Sequence, residues 1–183
     1  MKVPEYEDPD LHDPSVLVSF DRREFIKSIG GGIVILFTVG DASLALSGRG
    51  RGYPEDFNAY LRIGEDGRVT CLTGKVELGQ GPITSLAQML ADELDVSVDL
   101  VDMVMGDTDR CPWDAGTWGS QTTPVFGPAL RAAGAEARGV LLELAAETLK
   151  VPVEQLAVSN AVIFDKKQKD RKVTYGELAK GKT

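Results

Sequence analysis

The sequence is poor in the residues that build most metal and nucleophile sites. It has one histidine, His12, and two cysteines, Cys71 and Cys111. Zinc and iron–sulfur centres need several Cys or His ligands at set spacing, and there is no CxxC pair, so the chain builds neither alone. A Ser-His-Asp or Cys-His nucleophile system is excluded on the same ground, because the single histidine lies in a polar lead-in. Positive charge is also scarce: 20 Lys and Arg stand against 28 Asp and Glu, a net charge of −8. That balance argues against a nucleic-acid surface, which needs clustered cations to neutralise phosphates. The basic cluster Lys166, Lys167, Lys169, Arg171 and Lys172 is interspersed with Asp165 and Asp170 and reads as a solvated turn. Long apolar runs are missing too. The run from Ile29 to Val39 falls short of the roughly 20 residues that cross a bilayer, so no stable transmembrane anchor is expected.

What is present suits one domain of ordinary size, with 43% hydrophobic and 26% charged residues in 183 positions. Residues 1–20 combine prolines and acidic groups with little periodicity and are expected to be a disordered lead-in. Residues 21–50 begin with the twin arginines Arg22 and Arg23, continue into the apolar run and end in small residues (Ala42, Ala45, Ser47). That order fits a twin-arginine export signal and linker, which would place the protein in the periplasm. The alternative is an amphipathic helix packed on the domain or a partner, in a cytoplasmic protein.

The globular part is expected over 51–183. "NAYLRIGEDGRVTCLTGKVEL" alternates on both sides of Glu65-Asp66-Gly67, a hairpin signal. "ITSLAQMLADELDV" places Leu86, Met89, Leu90 and Leu94 on one helical face. "LVDMVMGDT" reads as a strand, and "PALRAAGAEARGVLLELAAETLK" as a long helix from near Pro128 to Lys150. A helical turn "VPVEQL" and two strands, "AVSNAVIFD" and "KVTYGEL", complete an α+β domain in which helices pack on a mixed sheet.

Two stretches carry chemistry. The first is the junction Gly79-Gln80-Gly81, where a β-type run meets the first helix. Glycines there can adopt positive φ and let a ligand approach the backbone. A helix starting near Pro82 would offer unsatisfied amides and a positive dipole end to an oxyanion, with the Gln80 carboxamide at the mouth. A purely structural turn is the other reading, since neither GxGxxG nor a P-loop Lys is present. The second stretch runs from Asp107 to Thr123 with little periodicity, and loops of that length are usually functional or disordered. Gly116, Gly119, Ser120, Gln121, Thr122 and Thr123 supply amides and hydroxyls, while Trp113 and Trp118 could stack on a planar ring or fill the core.

Together, "GKVELGQGPITSLAQMLADEL", "GDTDRCPWDAGTWGSQTT", "GPALRAAGAEAR" and "VTYGELA", with "DRREFIK" near the amino end, resemble the molybdopterin-binding subunit of the molybdenum hydroxylases. This is the xanthine dehydrogenase and aldehyde oxidase family, and the stretches look most like its isoquinoline 1-oxidoreductase β-subunit and nicotinate dehydrogenase branch. The resemblance implies an incomplete molybdopterin-binding domain of the xanthine dehydrogenase type. It implies hydroxylation of an aldehyde or N-heterocycle with water-derived oxygen at a molybdenum–molybdopterin centre, with a cytosine dinucleotide form. By that resemblance Gly79, Gln80, Gly81, Trp118, Gly119 and Ser120 are cofactor-binding, with Gln80 near the molybdenum ligand sphere and no residue ligating the metal directly.

Relatives often carry Arg where this chain has Gln121, which removes a fixed positive charge. Their catalytic base is a glutamate in a motif to which none of Glu77, Glu93, Glu136 or Glu147 corresponds. The chain is therefore expected to be inactive alone. The resemblance implies partners: a larger molybdopterin-binding chain or missing carboxyl-terminal part, a subunit carrying a 2Fe–2S cluster, and a cytochrome or flavoprotein acceptor. An interaction module without catalytic function is the competing expectation. Part of the apolar surface, including the long helix, is expected to be interface.

Overall fold

The computed structural model describes residues 26–28, 32–37, 59–114 and 116–181. The lead-in and the twin arginines Arg22 and Arg23 lie outside the described residues.

Five strands form the main sheet, in the order β1 (Ile26–Ser28), β2 (Gly32–Phe37), β3 (Ala59–Gly64), β4 (Val69–Thr73) and β5 (Val101–Met105). Neighbours are antiparallel except β4 and β5, which run parallel. Part of the apolar run thus forms a strand rather than the alternative helix. Ile33 opposes Ile63 and Val34 opposes Arg62, and β-branched side chains fit a pleated surface better than a helix. The expected hairpin joins β3 to β4: the Gly67 amide donates to the Gly64 carbonyl at 2.9 Å, with Gly67 at φ 77°.

A parallel pair requires a crossover, and here it contains helix α1 (Pro82–Leu94). Its leucines Leu86, Leu90 and Leu94 are fully buried, as the periodicity required. Helix α2 (Gly127–Leu149) follows a π-type turn over Thr122–Phe126 and lies against α1. Gly134 permits the close approach, since a Cβ there would come within 3.0 Å of Glu93 Cβ and 3.1 Å of Leu90 Cδ1. The inward side chains of β3 and β4 (Ala59, Leu61, Ile63, Val69, Cys71) join Ala129, Leu130, Ala133, Ala137 and Leu141 of α2 in one core.

The carboxyl-terminal part differs from expectation twice. "AVSNAVIFD" is a tight hairpin rather than one strand: β6 (Leu156–Ser159) and β7 (Val162–Asp165) pair across Asn160 and Ala161, at φ 48° and 62°. Asn tolerates this left-handed region, whereas Ala161 bears a strain offset by its amide bond to the Asp95 carbonyl at 2.9 Å. "KVTYGEL" is strand only over β8 (Lys172–Thr174), after which helix α3 (Tyr175–Ala179) begins. The reason is a capping box, in which Thr174 Oγ1 accepts from the Glu177 amide and the Glu177 carboxylate accepts from the Thr174 amide. Tyr175, fully buried, donates its hydroxyl to the Leu94 carbonyl at 2.7 Å and so ties this unit to the end of α1.

Candidate functional site

Beyond β4 the chain turns through Lys75–Gly81 before entering α1, and the loop from Asp107 to Gln121 folds against this turn. Gly74 makes the approach possible: a Cβ there would meet Asp114 Cβ at 2.5 Å and the Pro112 carbonyl oxygen at 2.7 Å. The two segments are fastened by side chains. Lys75 Nζ donates to Asp114 Oδ1 at 2.8 Å and to the Gly116 carbonyl at 2.9 Å. The two charged side chains are only 9% and 2% exposed. The Val76 amide donates to Thr117 Oγ1 at 2.7 Å. Lys75 Nζ also lies 5.8 Å from the centre of the Phe126 ring, at the foot of α2.

Between the fastened segments lies a cleft of about 270 Å³ lined by Gln80, Pro82, Ser85, Thr117, Trp118, Ser120, Thr122 and Thr123. Of the residues expected to form a site, Gln80, Trp118 and Ser120 meet in this cleft. Gly79, Gly81 and Gly119 shape its edges with φ values of 98°, 90° and 60°. No atom lies within 4 Å of where a Cβ of Gly79 or Gly81 would stand, so their requirement is conformational. Ser120 holds φ 56° without being glycine, a strained geometry for a residue on the cleft wall.

Two expectations change in detail. The amides at the start of α1 are not vacant, because the Glu77 carboxylate takes them: Oε1 accepts from Gly79 at 2.7 Å and Gly81 at 2.9 Å, and Oε2 from Ile83 at 3.1 Å. The hydrogen bond from the Gly81 amide leads the interactions that hold the Glu77 carboxyl below its ordinary range, against the opposing effect of burial. An internal carboxylate therefore occupies the position where an external anion was expected. The core-filling alternative for the tryptophans also fails, since Trp113 is 58% and Trp118 67% exposed. The aromatic beneath the loop is Phe126, which is 1% exposed.

The Gln80 carboxamide is fixed by its own turn. Its Oε1 accepts from the Leu78 amide at 2.5 Å and its Nε2 donates to the Val76 carbonyl at 2.9 Å. A primary amide has two N–H donors and two acceptor lone pairs, so one donor and one lone pair are left beyond these bonds. With the hydroxyls of Ser85, Thr117, Ser120, Thr122 and Thr123, the cleft can hydrogen-bond neutral or anionic oxygens and a planar ring's edge. Among the described residues its lining includes no Lys, Arg, Asp or Glu, hence neither a proton-transferring carboxylate nor a cation to match a phosphate.

The whole region matches the molybdopterin cofactor-binding domain, over residues 18–183. The chain belongs to that family. It is similar to a nicotinate dehydrogenase subunit of Pseudomonas putida, 38% identical over 67% of this chain and 10% of the relative. It is equally similar to the β-subunit of isoquinoline 1-oxidoreductase from Brevundimonas diminuta, 38% identical over 66% of this chain and 16% of the relative. The fold superposes on CO dehydrogenase from Oligotropha carboxidovorans with a TM-score of 0.60 and 26% identity, covering 80% of this chain and 18% of the other. On quinoline 2-oxidoreductase from Pseudomonas putida 86 the TM-score is 0.57 at 25% identity, over 81% and 19%. This chain, an α+β unit of the molybdenum hydroxylase family, thus spans between a tenth and a sixth of the length of these curated relatives.

Sequence reasoning missed Ser85, Thr117, Lys75 and Asp114. The hydroxyl spacing around the loop was a usable signal for Thr117. Nothing local marks Lys75 and Asp114 as partners, because they come together only when the loop folds back. Among the described residues no helix is long and apolar enough to cross a membrane, and no group of His, Cys, Asp and Glu could hold a metal ion.

Proposed function

We propose that this chain forms one wall of the molybdopterin seat in a molybdenum hydroxylase that oxidises an aldehyde or N-heterocycle with water-derived oxygen. The observation that carries the reading is the meeting of Gln80, Trp118 and Ser120 in one cleft of a chain belonging to the molybdopterin-binding family. The donor set fits the hydrogen-bonding part of the cofactor. Gln80 would orient an oxygen near the metal, Ser120 and Thr122 would hold the pterin edge, and the exposed Trp118 face would cover a planar ring. When bound, the molybdenum–pterin group supplies the redox chemistry that this chain's side chains lack. The phosphates of a dinucleotide form, such as cytosine dinucleotide, would find no cation among the described residues of this cleft and would be held elsewhere.

The same composition argues that the chain is inactive alone. A hydroxylase needs a base, and among the described residues none of the side chains lining the cleft can move a proton at neutral pH. The base, the rest of the cofactor seat, a 2Fe–2S subunit and a cytochrome or flavoprotein acceptor would come from partner chains or from further sequence. Trp118 on the cleft wall is exposed, as are Val76, Leu78, Ile83 and Trp113 on the turn, first helix and loop that carry the cleft residues, and Leu78 reaches 88%. This apolar rim suits a partner surface better than α2 does, because none of the exposed large hydrophobics among the described residues lies on α2.

Molybdenum content and turnover of the complex co-purified with this chain test the reading, in the parent and in Gln80→Ala. Loss of turnover in the variant is the expected result. The alternative, a non-catalytic assembly module, draws on the internal bonds of Gln80 and on Glu77 filling the anion position. It requires a complex that keeps its molybdenum and full turnover in Gln80→Ala. Periplasmic export through Arg22 and Arg23 belongs to the same proposal, and is tested by fractionation after both are replaced with Lys.

A further inference from the structure

The buried pair Lys75–Asp114 has no part in the chemistry proposed above, yet it is an unusual feature of this core. Among the described residues the buried positions are overwhelmingly apolar, with Lys75, Asp165 and two threonines the exceptions. Burying two charges costs as much as their attraction returns, so an apolar pair would serve stability equally well. What the pair has that an apolar pair lacks is direction. The Lys75 ammonium reaches Asp114 Oδ1 and the Gly116 carbonyl, at 2.8 and 2.9 Å. Asp114 Oδ1 in turn accepts from the Gly116 amide at 2.8 Å, and the ammonium lies over the Phe126 ring.

Each of these segments leads directly into the cleft. Gln80 lies five residues after Lys75, Thr117 and Trp118 follow Gly116, and Thr122 and Thr123 precede Phe126. One ammonium therefore sits where both walls of the cleft and the turn that closes it start. The neighbouring bond from the Val76 amide to Thr117 Oγ1 extends the same seam. We infer that Lys75 and Asp114 are the positioning residues of the cleft, fixing the distance between the Gln80 turn and the Trp118 loop. What the cleft holds rests on the function proposed above, but the clamp is tested without any cofactor, so the two fail separately.

The test is amide hydrogen exchange, followed by NMR, on the full chain. Val76 and Gly116 report on the clamp, and Leu61 and Leu90 report on the core. In Lys75→Met/Asp114→Asn the side-chain volumes and the cap on Gly116 persist while direction and charge are lost. Val76 and Gly116 are expected to exchange about ten-fold faster or more, with Leu61 and Leu90 unchanged. Lys75→Arg is expected to restore part of the protection. Should the double variant loosen the core as well, Asp114→Glu decides the matter, since it keeps the charge and shifts only the geometry. Faster exchange confined to Val76 and Gly116 supports the clamp. Protection at those two amides that follows the core in every variant overturns it.

Discussion

Replacing Gly74 by Ala sets two effects of opposite sign against each other. At a position whose backbone suits any residue, Gly→Ala stabilises by about 0.4–1 kcal/mol, because the unfolded chain loses freedom. Gly74 does not occupy the positive-φ region, so that gain is available in principle. Space is not available: the new methyl would stand 2.5 Å from Asp114 Cβ and 2.7 Å from the Pro112 carbonyl oxygen. Carbon pairs prefer separations of roughly 3.5–4.0 Å, so the overlap is about 1 Å, and one neighbour is backbone that cannot rotate away. Overpacking of this kind costs about 1–3 kcal/mol. The net expectation is a destabilisation of about 1–2 kcal/mol by urea denaturation, with widening of the cleft. Gly139 is the matched control, because it lies inside α2 with nothing within 4 Å of its would-be Cβ. There Gly→Ala should stabilise by about 0.5–1 kcal/mol through helix propensity. A Gly74→Ala protein as stable as the parent would refute the packing of the loop on β4.

Three further outcomes are expected. Tyr175→Phe leaves the Leu94 carbonyl without its buried donor and should cost about 1–2 kcal/mol in the same assay; a neutral result would show that the hydroxyl contributes nothing. The Glu77 carboxyl is held below its ordinary range, so its hold on the turn is complete above the unfolded value near ~4.3 and is lost as pH falls through the depressed folded value. Gly79 and Gly81 amide shifts followed by NMR should move in that acidic window while the core is still folded, and shifts that stay constant until the core itself unfolds would contradict the assignment. Thr174→Ala removes half of the capping box and should cost about 1 kcal/mol, with the loss confined to α3 and β8 by hydrogen exchange.

Much of the scaffold was legible in the residues because it follows from local periodicity. The spacing of Leu86, Leu90 and Leu94 located α1 and its buried face, and Glu65-Asp66-Gly67 located the β3–β4 hairpin. The capping box at Thr174 and Glu177 was present as T-x-x-E, and the strand reading of that segment overlooked it. Asn160-Ala161 gave little warning of a turn, because Ala rarely takes positive φ and does so here with help from Asp95, far away in sequence.

The site divides in the same way. Gln80, Trp118 and Ser120 announced themselves through glycine-rich surroundings. The Lys75–Asp114 pair is a long-range contact that no periodicity encodes. The expectation of an empty anion site at α1 failed because a carboxylate three residues before Gln80 curls back onto the same turn. The tryptophans did not follow the usual rule that large aromatics fill cores, and their exposure, like that of Leu78, underlies the partner surface proposed above.

The central claim is that the cleft between Gln80 and Trp118 seats the molybdenum-bearing pterin. Anomalous scattering at the molybdenum edge, from crystals of this chain assembled with its partners, locates the metal without assumptions about the ligand. The account expects the anomalous peak at the mouth of this cleft, facing the Gln80 carboxamide. A peak on another surface, with Gln80 and Ser120 turned toward solvent or protein instead, would contradict it.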